Sequence, residues 1–143
     1  MIKNKEVKRH YIALVEGVIQ HETGTIDAPI GRDQYDRQKM AVTDINGKDS
    51  ITHFKVLKRY KNKTLVECIL ETGRTHQIRV HMKYINHPVV NDPIYNKKKS
   101  DDFGQMLHSK SIEFIHPITK KKIYFEVEPP KEFMEKLKQL EIE

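Results

Sequence analysis

Apolar and polar residues alternate along much of this chain, and the period of the pattern changes near residue 75. From Tyr11 to Ile19 both faces are largely apolar, with Ile12, Leu14 and Val18 alternating with Tyr11, Ala13 and Val15. That pattern predicts a central strand. Gly17 marks a bulge or a close backbone approach. His21 to Asp49 reads as loop, punctuated by Thr23-Gly24, Ala28-Pro29-Ile30-Gly31 and Asn46-Gly47. Asn46-Gly47 lies between two plausible strands and predicts a hairpin turn. Ser50 to Tyr60 alternates with Thr52, Phe54 and Val56 on one side. Lys63 to Glu71 alternates with Leu65, Glu67 and Ile69 against Val66, Cys68 and Leu70. Only Lys61-Asn62 separates these two runs, so they predict an antiparallel pair.

After Gly73 the spacing becomes helical. Ile78, Met82, Ile85 and Val89 fall on one face, Thr75 is the expected N-cap, and His87-Pro88 ends the helix near Asn86. Asp92-Pro93 and Lys97 to Asp102 form a further loop. Lys110 to Ile115 and Lys122 to Glu128 predict late strands, and Pro129-Pro130 stops the second. Phe133, Leu137 and Leu140 then give a short amphipathic helix. The fold class that follows is α+β, a mixed but mainly antiparallel sheet with a few flanking helices. The first strand begins close to the chain start, so its partners are expected to include strands outside this chain, which points to truncation.

Composition narrows the function. Lys plus Arg number 26 against 20 Asp plus Glu, a formal net charge of +6. A basic balance favours polyanionic partners such as RNA or DNA; a solvated Lys-rich surface is the other reading. The single cysteine, Cys68, allows no internal disulfide, and its apolar strand neighbours suggest a core residue. No basic start leads into an apolar run, and no stretch has the length of a membrane span. A cytoplasmic location is expected.

The richest segment is Glu71-Thr72-Gly73-Arg74-Thr75-His76-Gln77-Ile78-Arg79-Val80-His81. A glycine after a strand permits a tight turn, and two Arg, a Gln and two His follow at a helix start. A helix N-terminus favours phosphate or carboxylate, and each Arg can hold such a group with two hydrogen bonds. Arg79 lies beside the apolar stripe, where a partly buried Arg normally takes a carboxylate partner. On residue types alone, a structural ion pair or a basic helix end explains the segment as well.

Gly73-Arg74-Thr75-His76-Gln77-Ile78-Arg79-Val80-His81 resembles the signature of RNA pseudouridine synthases of the RluA/RluD type. His87-Pro88-Val89-Val90-Asn91-Asp92-Pro93-Ile94-Tyr95 resembles its continuation, with Asn91 where the family usually has Gly. Lys8-Arg9-His10-Tyr11 is similar to the family's Lys-x-Tyr strand, with Arg9 in place of the usual Lys. Ile26-Asp27-Ala28-Pro29-Ile30-Gly31-Arg32-Asp33, Leu107-His108-Ser109 and Glu128-Pro129-Pro130 match in order and spacing. The resemblance covers nearly the whole chain.

It implies isomerisation of uridine to pseudouridine within RNA, with no cofactor and no metal. The implied partner is structured RNA, ribosomal most of all and transfer RNA second. No membrane and no obligatory protein partner is implied. By resemblance, Arg79 pairs with the catalytic aspartate, and Tyr11 stacks on the target uracil or assists a proton transfer. Ile78 forms an apolar wall, while Arg74, His76 and Gln77 hold the loop or contact RNA. A lone strand tyrosine read without the family is a core residue.

The family's aspartate lies in a His-Arg-Leu-Asp motif upstream of the Lys-x-Tyr strand. The ten residues before Tyr11 contain no Asp, and none of Asp27, Asp33, Asp36, Asp44, Asp49, Asp92, Asp101 and Asp102 sits in such a motif. Asp92 reads as a turn residue. Residues 1–143 are therefore expected to be the C-terminal portion of one catalytic domain, without an S4-like domain and inactive alone. A non-catalytic RNA-binding remnant of the same fold is the alternative.

Other clusters carry less. His76, His81 and His87 are spaced five and six apart, which places no three ligands on one helical face. His108 and His116 lie on different segments. Lys97-Lys98-Lys99-Ser100 and the group Lys58, Arg59, Lys61 and Lys63 read either as phosphate contacts or as solvated surface.

Overall fold

The computed structural model describes residues 7–36, 38–98, 104–115, 118–119 and 121–142. Six strands form one sheet in the order β2-β5-β6-β1-β7-β8, with every neighbouring pair antiparallel. The strands are β1 Val7–Glu16, β2 Thr23–Asp27, β5 Ile51–Arg59, β6 Lys63–Leu70, β7 Leu107–Ile115 and β8 Lys122–Glu126. A small second sheet pairs β3 Ile30–Arg32 with β4 Met40–Val42. Helix α1 spans Gln77–Tyr84 and α2 spans Lys131–Ile142. No described helix is long and apolar enough to cross a membrane.

Strand β1 explains the architecture. Its odd-numbered residues Ala13 and Val15 join Val66, Cys68, Leu70, Ile78, Met82 and Val89 in the core under α1. Its even-numbered Leu14 packs with Val90, Met106, Phe133 and Leu140 in the core under α2. A strand covered by a helix on each face has no polar side, which is the pattern read in the sequence. The expectation that β1 needs strands from outside the chain is corrected. Its two edges are taken by β6, from Arg9↔Leu70 to Glu16↔Lys63, and by β7, from Val7↔Phe114 to Ala13↔Leu107. Where β7 ends, Pro88 to Val90 continue the ladder: Glu16 donates to the Pro88 carbonyl and Val90 to the Leu14 carbonyl, each at 2.9 Å.

The β5–β6 pair forms as expected, with a bulge at Leu57. The His21 to Asp49 stretch differs from expectation, because it holds β2, β3 and β4. Asn46-Gly47 does turn the chain, with Asn46 at φ 54°, but β4 and β5 do not pair across it. The turn instead brings Lys48 back to bridge Ile30, giving β3 a neighbour on each side. The resulting sublayer buries Ile30 and Tyr95 against Val80 of α1.

Candidate active site

Helix α1 begins one residue later than expected. Thr75 is not its cap; His76 is, in the left-handed region at φ 55°, with no side-chain cap bond. The cause lies in Gln77. Its Oε1 accepts from the Arg74 N–H at 3.0 Å and from the Thr72 hydroxyl at 2.7 Å, so the loop is fastened from inside. Its Nε2 donates to the Ile51 carbonyl and to Thr52 Oγ1, both at 3.0 Å. The side chain is buried and its amide groups are fully used within the protein. The helix ends at Ile85 in a Schellman motif. Asn86 at φ 68° donates to the Lys83 carbonyl, and His87 donates to the Met82 carbonyl.

An open cavity of about 460 Å³ lies where the Gly73–Arg79 loop meets the sheet. Its lining includes all six site residues singled out in the sequence: Tyr11, Arg74, His76, Gln77, Ile78 and Arg79. Arg9, Leu70, Gly73 and Leu107 complete it. Tyr11 follows Arg9 on the α1 face of β1 and stands at a bulge, where Lys110 is the extra residue of β7. Bulges re-aim neighbouring side chains. Tyr11 is half-buried, packed on the core and facing the cavity at once. A Cβ on Gly73 would lie 2.9 Å from Nη1 of Arg9, the movable end of a flexible side chain, so Arg9 comes close to the loop without making glycine obligatory there. Arg74 is tied to the loop through Nε, which donates to the Asp49 carbonyl at 2.9 Å.

Arg79 already has a carboxylate. Its Nε and Nη2 each donate to Asp92 at 2.8 Å, a two-pronged pair with a buried acid. Asp92 Oδ1 also accepts the Ile94 and Tyr95 N–H groups, so it is a turn residue as well as the ion-pair partner. Burial alone would raise its carboxyl pKa, but the guanidinium and the two N–H groups outweigh that and hold it below the usual range. Asn91, before it, sits at φ 63°, a left-handed conformation that asparagine tolerates far better than most residues. The Tyr95 ring lies under Arg79, 5.1 Å from the guanidinium carbon. No sequence signal singled out Tyr95; its contacts join residues far apart in the chain.

Behind the cavity runs a buried polar chain. Gln77 Nε2 donates to Thr52, whose hydroxyl meets His81 Nδ1 at 2.7 Å, and His81 Nε2 meets the Ala28 carbonyl at 2.9 Å. A neutral imidazole with its proton on Nε2 satisfies both contacts. Burial lowers the His81 pKa, against the Ala28 carbonyl and the charge of Asp27. The folded state therefore binds fewer protons here than the unfolded chain. The stability this histidine confers is full above the ordinary imidazole value of about 6.5 and is lost as pH falls towards the folded value. The expected result is that the His81 ring signal in NMR stays neutral below pH 6.5 and that urea stability falls from pH 7.5 to 5.5. Titration of His81 at or above 6.5 would contradict it.

The histidines, the cysteine and three of the hairpin cations have partners or burial of their own. His76, His81 and His87 bond to Tyr95, to Thr52 and Ala28, and to the Glu16 carbonyl, so they do not converge. Cys68 is fully buried, and burial pushes its thiol up to about 12. Lys58 pairs with Glu141, Arg59 with Glu22 at 2.9 Å and Lys63 with Glu16 at 3.7 Å. Lys99, Ser100, Asp101, Asp102 and His116 lie outside the described residues.

Residues 1–84 match the family model for RNA pseudouridylate synthase. The chain belongs to that family. A Bacillus subtilis (strain 168) protein named as an uncharacterized RNA pseudouridine synthase, YlyB, is 54% identical over 138 residues, covering 96% of this chain and 45% of its own length. The ribosomal large subunit pseudouridine synthase D of Neisseria meningitidis serogroup B (strain ATCC BAA-335 / MC58) is 40% identical over 154 residues, covering 99% of this chain and 41% of its own. The chain thus spans less than half the length of these relatives. The solved structure of human RNA pseudouridylate synthase domain containing 1 superposes with a TM-score of 0.79 at 29% identity, over 88% of this chain and 56% of that one. The α+β fold is shared with that pseudouridylate synthase.

Proposed function

We propose that this chain forms the uridine-binding face of an enzyme that isomerises uridine to pseudouridine in structured RNA. Ribosomal RNA is the first choice, since a relative is named for the large ribosomal subunit, and transfer RNA the second. The observation that carries the reading is the convergence of Tyr11, Arg74, His76, Gln77, Ile78 and Arg79 on one cavity. The reaction breaks the bond from base N1 to ribose C1′, turns the base and joins C5 to C1′. A base stacked in a helix exposes neither atom, so it must be flipped into a pocket. About 460 Å³ is a typical size for a ligand pocket. Tyr11 supplies a flat aromatic face, and Ile78, Leu70 and Leu107 supply apolar walls. Arg9 and Arg74 add positive charge for the RNA backbone.

The chemistry also needs a carboxylate beside the ribose. The cavity's lining residues include none, and Asp92 is committed to Arg79 and two backbone N–H groups. We place the nucleophilic aspartate in the upstream segment where the family carries His-Arg-Leu-Asp, making this chain the C-terminal portion of the catalytic domain. Two of the five N–H bonds of Arg79 go to Asp92, and the others, without a partner among the described residues, are proposed to steer a second acid. A cavity rich in cations but without an acid equally fits a non-catalytic RNA-binding remnant.

RNA tritiated at uracil C5 separates the readings. Tritium release is expected only when the upstream segment is joined to the chain, with Arg79→Met lowering that rate on the order of 100-fold. Release by the chain alone would overturn the upstream nucleophile and place it among the eight aspartates present. RNA binding without release by either form would establish the remnant.

A further inference from the structure

Tyr95 stands at the junction of the two functional side chains yet contributes nothing to the lining of the cavity. It is 4% exposed. Its hydroxyl oxygen accepts the Met40 N–H at 2.9 Å and lies 2.7 Å from His76 Nδ1. Its ring meets the His76 ring edge-on, with centroids 5.5 Å apart and planes at 78°, and it carries the Arg79 guanidinium on its face. Asp92, which holds Arg79, also fixes the Tyr95 backbone N–H. One loop therefore sets both the cation and the histidine.

The direction of the bond between His76 and Tyr95 follows from counting protons. Were Nδ1–H the donor, the tyrosine oxygen would receive two hydrogen bonds and its own buried O–H would have no acceptor among the described residues. With the hydroxyl donating to Nδ1, every group is satisfied. The imidazole then carries its proton on Nε2, which has no partner within the described protein. Burial and then the Arg79 charge lower the His76 pKa, so the ring is neutral under ordinary conditions.

Resting on the reading of the cavity as an RNA site, we propose that Tyr95 is a positioning residue that locks His76 as an Nε2–H donor. His76 then reads an acceptor oxygen of the bound nucleotide. The left-handed backbone of His76, unusual for a residue with a side chain, is what turns the ring between tyrosine and cavity. Such strain is held in place by the Tyr95 contact on one side and the Gln77 clasp on the other.

The test uses ¹⁵N-labelled histidine and Tyr95→Phe, which keeps the ring under Arg79 and removes only the hydroxyl. In the parent protein, His76 is expected to show one tautomer, with a bare hydrogen-bonded Nδ1 and a protonated Nε2. In Tyr95→Phe the two nitrogen signals are expected to move towards each other as the tautomers exchange. A proton on Nδ1 in the parent would overturn the proposal. Binding of a uridine-bearing RNA stem-loop is expected to weaken roughly ten-fold in Tyr95→Phe and no further when His76→Ala is added. Equal weakening by Tyr95→Phe in the His76→Ala background would also overturn it. Failure of the parent to bind RNA at all would sink the reading of the cavity, while the nitrogen spectrum would still decide the role of Tyr95.

Discussion

Replacing Asp92 with alanine is expected to lower the unfolding free energy by about 3–5 kcal/mol, the cost of leaving one member of a buried ion pair alone. Arg79 keeps only 11% of its side chain exposed, so water from the cavity replaces the lost partner only in part. The Ile94 and Tyr95 N–H groups lose their acceptor in the same step. Urea unfolding at pH 7 measures the loss. A value below about 1 kcal/mol would class the pair with surface bridges. Adding Arg79→Met to Asp92→Ala is expected to recover the part owed to the unpaired guanidinium, because an apolar pair needs no solvation, while the Ile94 and Tyr95 N–H groups stay without their acceptor. On the proposed reading of the site, the double variant is still expected to lack activity, because the guanidinium that lines the cavity would be gone. The comparison separates what the pair does for folding from the role proposed for Arg79 in the cavity.

The second large effect is expected at Leu14. It is fully buried between β1 and α2, against Val90, Met106, Phe133 and Leu140. Leu14→Ala should cost about 3–5 kcal/mol, since three carbons leave a tight space between a sheet and a helix. Leu57 offers the contrast within the same sheet. It is the bulged residue of β5 and is 44% exposed, so Leu57→Ala should stay within about 1 kcal/mol. The loss at Leu14 should also appear as faster hydrogen exchange along α2, which docks on that core. If the two variants unfolded alike, the core between β1 and α2 would not be the one described.

The long periodic elements were legible in the sequence. The alternation in Ser50 to Tyr60 and Lys63 to Glu71 located β5 and β6, and the spacing of Ile78 and Met82 gave the buried face of α1. Val89 was read onto that face; it lies beyond the helix, bridges Val15 and reaches the same core by another route. The short strands β3 and β4 were invisible because three residues carry no period, and their pairing depends on a turn that folds back across them. The start of α1 is hidden because Thr75 has the residue type of a cap, while the fastening comes from Gln77 across space. For the site, the six residues named from the motif do share a cavity. What the sequence concealed is how they are held: Asp92 and Tyr95 look like a turn and a loop tyrosine until the chain brings them beside Arg79 and His76.

The central position of β1 has a consequence for how the protein is made. On the ribosome β1 emerges well before either neighbour: Arg9 waits for Leu70 on one side and for Ile112 on the other. Until then the run from Ile12 to Val15 lacks the edge partners and the helix cover that the later residues bring. Sheets closed by such distant pairings fold slowly, and unpaired apolar strands seek each other in neighbouring chains. The nascent polypeptide is therefore expected to be most exposed to wrong pairing in the interval before β7 leaves the exit tunnel.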